Sequence, residues 1–254
     1  MFKELFKRKS KAIVFVDYEY WFYSYKTRFG LQPDPFAWRS EIEKKYSIVD
    51  IMVFADFSSP GLSTELGKLR EVTNTIIETG TESNRRKKDM TDFVMLDYIY
   101  QMADSHKKID TYILFTGDGH FQSVIKYLIH KKKKRVVVYG VNDSFSKRLQ
   151  AVATESYVIP FDDELYRIYR KMIIENMAYI VDKPKIIPTF NGTVEAVANK
   201  YNVPADQISA TLARMIDEGL IVKKEQRVEF AKRVKVLAAD WTLLIQKGLW
   251  TPDK

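Results

Sequence analysis

Ala12-Ile13-Val14-Phe15-Val16-Asp17 is a run of five apolar residues, three of them β-branched, that stops on an acid. It shows no alternation of polar and apolar positions. A strand built from it is therefore buried on both faces, which is the signature of a parallel sheet covered by helices. The same kind of run returns at Ile48–Ala55, Tyr112–Phe115, Val136–Tyr139 and Tyr157–Ile159. Between these runs the period changes to that of a helix. Thr91–Ala103 places Phe93, Leu96, Tyr100 and Ala103 on one predicted face, and Phe121–Ile129 does the same with Phe121, Val124, Ile125 and Leu128. Strand and helix in alternation imply βαβ units, and so a three-layer α/β domain with a parallel sheet.

Four of these strands run into an aspartate: Asp17, Asp56, Asp118 and Asp143. Open parallel sheets bind ligands beyond the carboxyl ends of their strands, so the four side chains are expected along one rim. Clustered carboxylates repel unless a cation sits among them, and an all-oxygen set suits Mg²⁺ or Mn²⁺. Each acid also has a structural reading. Asp56 before Phe57-Ser58-Ser59-Pro60, and Asp143 between Asn142 and Ser144, stand in turn contexts where Asp commonly bonds the backbone. Asp118 lies in Thr-Gly-Asp-Gly-His-Phe, a tight turn that also leaves room for a ligand. Asp89-Met90-Thr91-Asp92 reads as a variant capping box. Helical spacing nevertheless sets Asp92 on the side of Leu96, Ile99 and Ala103, where a carboxylate needs a partner.

Composition narrows the chemistry. The 254-residue chain has no cysteine, which excludes disulfides and thiolate metal sites, and its three histidines are scattered. The net charge of +8 favours polyanionic partners. Basic residues bunch at Lys3–Lys11, at Arg85-Arg86-Lys87-Lys88 and at Lys131–Arg135, flanking the acids in sequence and suggesting a phosphate-holding rim. No apolar run is long enough to span a bilayer and no signal peptide is recognisable, so a cytoplasmic protein is expected. Gly-rich nucleotide loops of the G-x-x-x-x-G-K-[ST] and G-x-G-x-x-G types are absent. The aromatic series Tyr18, Tyr20, Trp21, Phe22, Tyr23 and Tyr25 fits the packed face of a first helix, with base stacking as the other use of its rings.

The alternation ends near Pro160. The expected organisation is one α/β domain over residues 1–160, a helical connector over 161–183, and a smaller winged-helix-like domain over 184–254. The last comprises helix Val194–Lys200, Pro204 in the first turn of helix Ala205–Glu218, Gly219 as its stop, and a hairpin of Leu220–Lys223 with Arg227–Phe230. Val234–Trp250 reads as a further helix and short strand. The second helix carries Asp206, Asp217 and Glu218 against Arg214, a poor match to a DNA groove. RNA positioning, a protein contact or homodimerisation fits this unit better than sequence-specific DNA binding.

Val16-Asp17-Tyr18-Glu19 after the first strand, Lys88-Asp89-Met90-Thr91-Asp92 opening a middle helix, and Thr116-Gly117-Asp118-Gly119-His120-Phe121 after a later strand stand in a telling order. Over roughly residues 10–160 they resemble the NYN domain, the LabA-like branch of the PIN-like nucleases. The resemblance implies a PIN-like, Rossmann-like three-layer fold, Mg²⁺ or Mn²⁺ bound by Asp17, Asp92 and Asp118, and hydrolysis of RNA phosphodiesters. Arg85, Arg86, Lys87, Lys88 and Tyr20 are then candidates for holding RNA. Two positions depart from the family pattern. Tyr20 stands where Asn is usual, and His120 where a second acid is usual. An imidazole there remains a ligand for Mn²⁺, a phosphate contact or a general acid/base. The expectation is a metal-dependent ribonuclease with Asp17, Asp92, Asp118 and His120 at its centre. The alternative is a catalytically weak RNA-binding or regulatory protein that keeps the fold. A haloacid-dehalogenase-type phosphatase would need an Asp where Glu19 stands.

Overall fold

A computed structural model describes residues 9–80, 90–106, 108–227 and 233–251. The chain forms two compact units, one of residues 1–26 and 32–159, the other of residues 27–31 and 160–254. In chain order the first contains β1 (Ser10–Asp17), α1 (Tyr18–Phe29) up to Lys26, α2 (Pro35–Lys45), β2 (Tyr46–Ala55), α3 (Pro60–Ser63), α4 (Leu66–Val72), β3 (Thr75–Glu78) and α5 (Met90–Ser105). It continues with β4 (Thr111–Phe115), a 3₁₀ turn at Gly119–Phe121, α6 (Gln122–His130), β5 (Arg135–Val141), α7 (Lys147–Val152) and β6 (Glu155–Ile159).

Six strands form one sheet in the order β3-β2-β1-β4-β5-β6, every neighbouring pair parallel. The chain winds outward from β1 to β3, then returns to the far side of β1 and winds outward again from β4 to β6. The direction reverses between β1 and β4, the switch point where an open sheet leaves a crevice at its carboxyl edge. Helices cover both faces. On one, Ile13, Phe15, Tyr112 and Leu114 meet Met95, Ile99, Val124, Ile125, Leu128 and Leu149 in a continuous core. On the other, Trp21 of α1 stacks on Phe115 at 4.1 Å between ring centroids, and Trp38 of α2 meets Trp21 at 5.4 Å. Tyr18, Trp21, Phe22 and Tyr25 are buried, so most of the aromatic series packs the sheet.

Some expectations need correction. β3 was not anticipated: four residues at a sheet edge, three half-buried and Glu78 exposed, carry too little apolar pattern to be seen. The buried face of α5 is Met95, Ile99 and Ala103, while Phe93 is 64% exposed. Among the described residues, the basic bunches do not ring the acids. Lys9 and Lys11 lie at the start of β1, and Arg135 opens β5, so both groups flank the amino edge, opposite Asp17 and Asp118. Arg85, Arg86, Lys87, Lys88 and Asp89 fall outside the described residues.

The second unit contains α8 (Asp162–Ile180), α9 (Phe190–Tyr201), α10 (Ala205–Asp217), β7 (Ile221–Arg227), β8 (Arg233–Ala239) and α11 (Trp241–Gln246). Asn202 and Gly219 adopt left-handed conformations that end α9 and α10, and the Leu220 N–H closes onto the Met215 carbonyl at 2.9 Å. β7 and β8 are antiparallel, with Ile221 opposite Ala239 and Glu225 opposite Lys235. The strand that pairs with β7 is thus Arg233–Ala239; Arg227, expected to open it, ends β7, and residues 228–230 lie outside the described residues. Val234, Val236 and Leu237 belong to that strand and not to a helix. Leu237 N–H bonds the Pro188 carbonyl at 2.7 Å, tying the hairpin to the residues before α9. Among the described residues no helix is long and apolar enough to cross a membrane.

Candidate metal centre

Asp17 closes β1 and Asp118 follows β4, so the two neighbours at the switch point deliver their acids to the same edge. Asp17 is 6% exposed. Its Oδ1 accepts the Tyr20 N–H at 3.0 Å, fixing the first turn of α1, and its Oδ2 accepts the Thr116 hydroxyl at 3.4 Å. Burial pushes the carboxyl up to about 8, opposed by the Tyr20 bond, reinforced by the charges of Asp92 and Glu19, and opposed again by Thr116. A carboxyl this desolvated beside two further acids is where a cation would be welcome.

Asp118 caps the 3₁₀ turn, its Oδ1 accepting the His120 N–H at 2.8 Å. The flanking glycines are explained by crowding. A methyl at Gly117 would fall inside the Tyr20 ring and onto the Ser144 carbonyl, and one at Gly119 would press Ser146 Oγ at 3.2 Å. Asp92 arrives from the first turn of α5. Asp92, Asp118 and His120 each offer a ligand atom, all within 4.8 Å of one another. Asp17 is not one of the three; its oxygens are engaged by Tyr20 and Thr116, and its charge is felt through Asp92. Two carboxylates and an imidazole make a donor set that fits Mn²⁺ well and Mg²⁺ through the oxygens.

Glu19 organises the edge around them. Its Oε1 accepts the Asp56 N–H at 2.7 Å and the Thr91 hydroxyl at 2.8 Å, and Thr91 Oγ1 lies 2.6 Å from Thr79 Oγ1. One carboxylate thus pins the end of β2 and the start of α5 to the start of α1. The sequence signal was present: an acid two residues past the strand-ending Asp17. The other two strand-end acids do turn work. Asp56 Oδ1 accepts the Ser58 N–H at 3.0 Å, and Asp143 is exposed with φ of 59°. Neither joins the three-residue cluster.

Tyr20 is half-buried and structurally occupied. Its hydroxyl oxygen accepts the Val141 N–H at 2.8 Å and the Ser144 hydroxyl at 3.1 Å. Beside Asp118 and His120 runs a cleft of about 480 Å³ whose other walls include Gln122, Ser146, Lys147 and Arg148. These two cations, which sequence reasoning passed over, share that cleft with Asp118.

A sequence profile of the NYN domain matches residues 11–161. Among solved structures, a crystal structure of a protein of unknown function from Vibrio parahaemolyticus superposes with a TM-score of 0.54 at 20% identity, covering 62% of this chain and 97% of that one. At that identity it supports the fold alone. No curated protein matches the chain. NYN domains form part of the PIN-like nuclease superfamily and are RNA-related nucleases. Matched over more than half its length, with the switch-point acids in place, the chain belongs to the NYN domain family.

Proposed function

We propose that this protein is a metal-dependent ribonuclease of the LabA-like branch, hydrolysing RNA phosphodiester bonds with Mg²⁺ or Mn²⁺. The observation that supports this best is the convergence of Asp92, Asp118 and His120 at the sheet's switch point, beside the desolvated carboxyl of Asp17. A divalent ion held there supplies Lewis-acid polarisation of a phosphoryl oxygen and acidifies water. The chain's own groups do the rest. Asp92 and Asp118 ligate through oxygen and His120 through nitrogen. Asp17, ionised once a cation offsets its burial, adds negative charge behind Asp92. Glu19 and Thr91 hold the first turn of α5, and with it Asp92, in register.

The test is cleavage of labelled single-stranded RNA with Mn²⁺ by the wild type, Asp17→Asn and Asp118→Asn. Metal-dependent cleavage by the wild type that both variants lose is expected. Equal cleavage by all three proteins would overturn the proposal. A second reading, RNA binding with weak or no catalysis, is favoured by one feature: His120 shares Asp118 Oδ1 through both its N–H and its ring. RNA binding without metal-dependent cleavage would select it.

For residues 184–254 we propose a winged-helix-like module that positions RNA or contacts protein, a second copy of the chain included. Its α10 does not suit a DNA groove. Arg214 is engaged by Glu218 at 2.9 Å and lies over the Tyr166 ring at 3.7 Å, while Lys223, Lys224 and Lys235 of the hairpin are exposed.

A further inference from the structure

We infer that the cleft walled by Asp118, His120, Gln122, Ser146, Lys147 and Arg148 seats the nucleotide adjoining the scissile phosphate, with Lys147 and Arg148 holding the next phosphate along the strand. The inference rests on the ribonuclease reading for the identity of the polymer. The cleft itself is a feature of this fold.

Size comes first. About 480 Å³ lies within the range of roughly 300–1,000 Å³ typical of small-ligand clefts, enough for a nucleotide unit. Its position comes next. Two of its walls, Asp118 and His120, belong to the candidate metal cluster, so a ligand in the cleft abuts whatever the cluster holds.

Charge is the third argument. Among the described residues, Arg39, Lys44, Lys68, Lys132, Arg135 and Arg214 each pair with a carboxylate. Lys147 and Arg148 form no ion pair there, although both are exposed and consecutive. Two unneutralised cations beside an acidic cluster raise the local affinity for an anion that bridges both, as a chain of phosphates does.

The pair is also fixed in place. The Ser146 N–H bonds the Gly117 carbonyl at 3.0 Å, joining the loop before α7 to the loop that carries Asp118. Leu149, fully buried, anchors α7 from beneath, and the Gln122 amide reaches the Arg148 carbonyl at 3.5 Å. The spacing between cations and cluster is therefore set by backbone, not by mobile side chains alone. Among the described residues no Phe, Tyr or Trp lines the cleft, and its one ring, the His120 imidazole, belongs to the candidate metal cluster. Contact is consequently with phosphate and ribose and not by base stacking, and it carries no sequence preference.

The experiment uses the full chain and a fluorescein-labelled single-stranded RNA of about 12 nucleotides. Binding is followed by anisotropy in EDTA across a salt series. The double variant Lys147→Ala/Arg148→Ala should bind about tenfold more weakly at low salt. Its log K against log salt slope should be shallower by about 1.4, two contacts at ~0.7 each. The charge-keeping variant Lys147→Arg/Arg148→Lys should retain the wild-type slope, and Lys131→Ala/Lys133→Ala, at the amino edge, should leave it unchanged. An unaltered slope in the first variant, an equal loss in the amino-edge variant, or no RNA binding by the wild type overturns the inference. The two proposals fail separately. Slope loss without any Mn²⁺-dependent cleavage sinks the ribonuclease and keeps the subsite. Cleavage with an unchanged KM in the double variant does the reverse.

Discussion

The imidazole Nδ1 of His120 lies 3.1 Å from Oδ1 of Asp118, the same oxygen that accepts the His120 backbone N–H. One carboxylate oxygen thus both caps the turn and orients the ring, leaving the other oxygen for a cation. His120 is 79% exposed, so its ring can rotate toward a metal without disturbing the core. Removing even an outer partner of a metal ligand costs about 10–100-fold in affinity, and removing a ligand should cost no less. His120→Ala is therefore expected to weaken Mn²⁺ binding at least tenfold. His120→Asp restores an all-oxygen set and should shift preference from Mn²⁺ toward Mg²⁺. Mn²⁺ titration by electron paramagnetic resonance reads both; unchanged affinity in His120→Ala would remove the histidine from the site.

Asp17 makes the metal-free protein sensitive to pH. In the fold its carboxyl stays protonated up to about 8, whereas in the unfolded chain it ionises near 4. Between those values the native state holds a proton that the unfolded state has released, so this residue's contribution to stability falls as pH rises. Asp17→Asn abolishes that slope. In EDTA the variant should gain on the wild type in melting temperature, by much more at pH 8 than at pH 5, each kcal/mol being worth about 2–4 °C. The same difference at both pH values would show that the carboxyl ionises normally.

What the sequence revealed and hid follows from how local each signal is. β1, β4 and β5 were readable because strands buried on both faces are unbroken apolar runs, as Val136–Val138 is. Asp92 was readable in two steps: helical spacing sets it on the side of Ile99 and Ala103, and the resemblance to the NYN domain implies a metal ligand there. Lys147 and Arg148 were not: a surface basic pair looks like any solvated pair until the fold sets it beside Asp118. Lys131–Arg135 misled for the converse reason, since closeness in sequence to Asp118 means the opposite end of the strand. Val234–Ala239 folds as a strand although its sequence suits a helix equally, because a short apolar run with Leu and Ala fits either period.

Tyr20 stands where the family usually has Asn, and its ring and hydroxyl have become structural. Tyr20→Phe leaves the Val141 N–H without its 2.8 Å acceptor and should cost about 1–3 kcal/mol. Gly117→Ala drives a methyl into the same ring and should be destabilising as well. Because a ring released from its hydroxyl bond to Val141 can yield to the methyl, their double variant should be less destabilised than the sum of the singles. Chemical denaturation of the four proteins provides the cycle, and strict additivity would show that ring and glycine act independently.

The corrected face of α5 gives a sharp contrast between two apolar residues six positions apart. Ile99 is fully buried against Met95 and the sheet, and truncating it to Ala removes buried methyl groups that the packed layer cannot refill. Ile99→Ala is expected to cost about 2–5 kcal/mol. Phe93 stands largely in solvent one residue after Asp92, and Phe93→Ser should change stability by no more than about 0.5 kcal/mol. Urea denaturation measures both. A cost for Phe93→Ser comparable to that of Ile99→Ala would mean that the aromatic side of α5 is covered in solution.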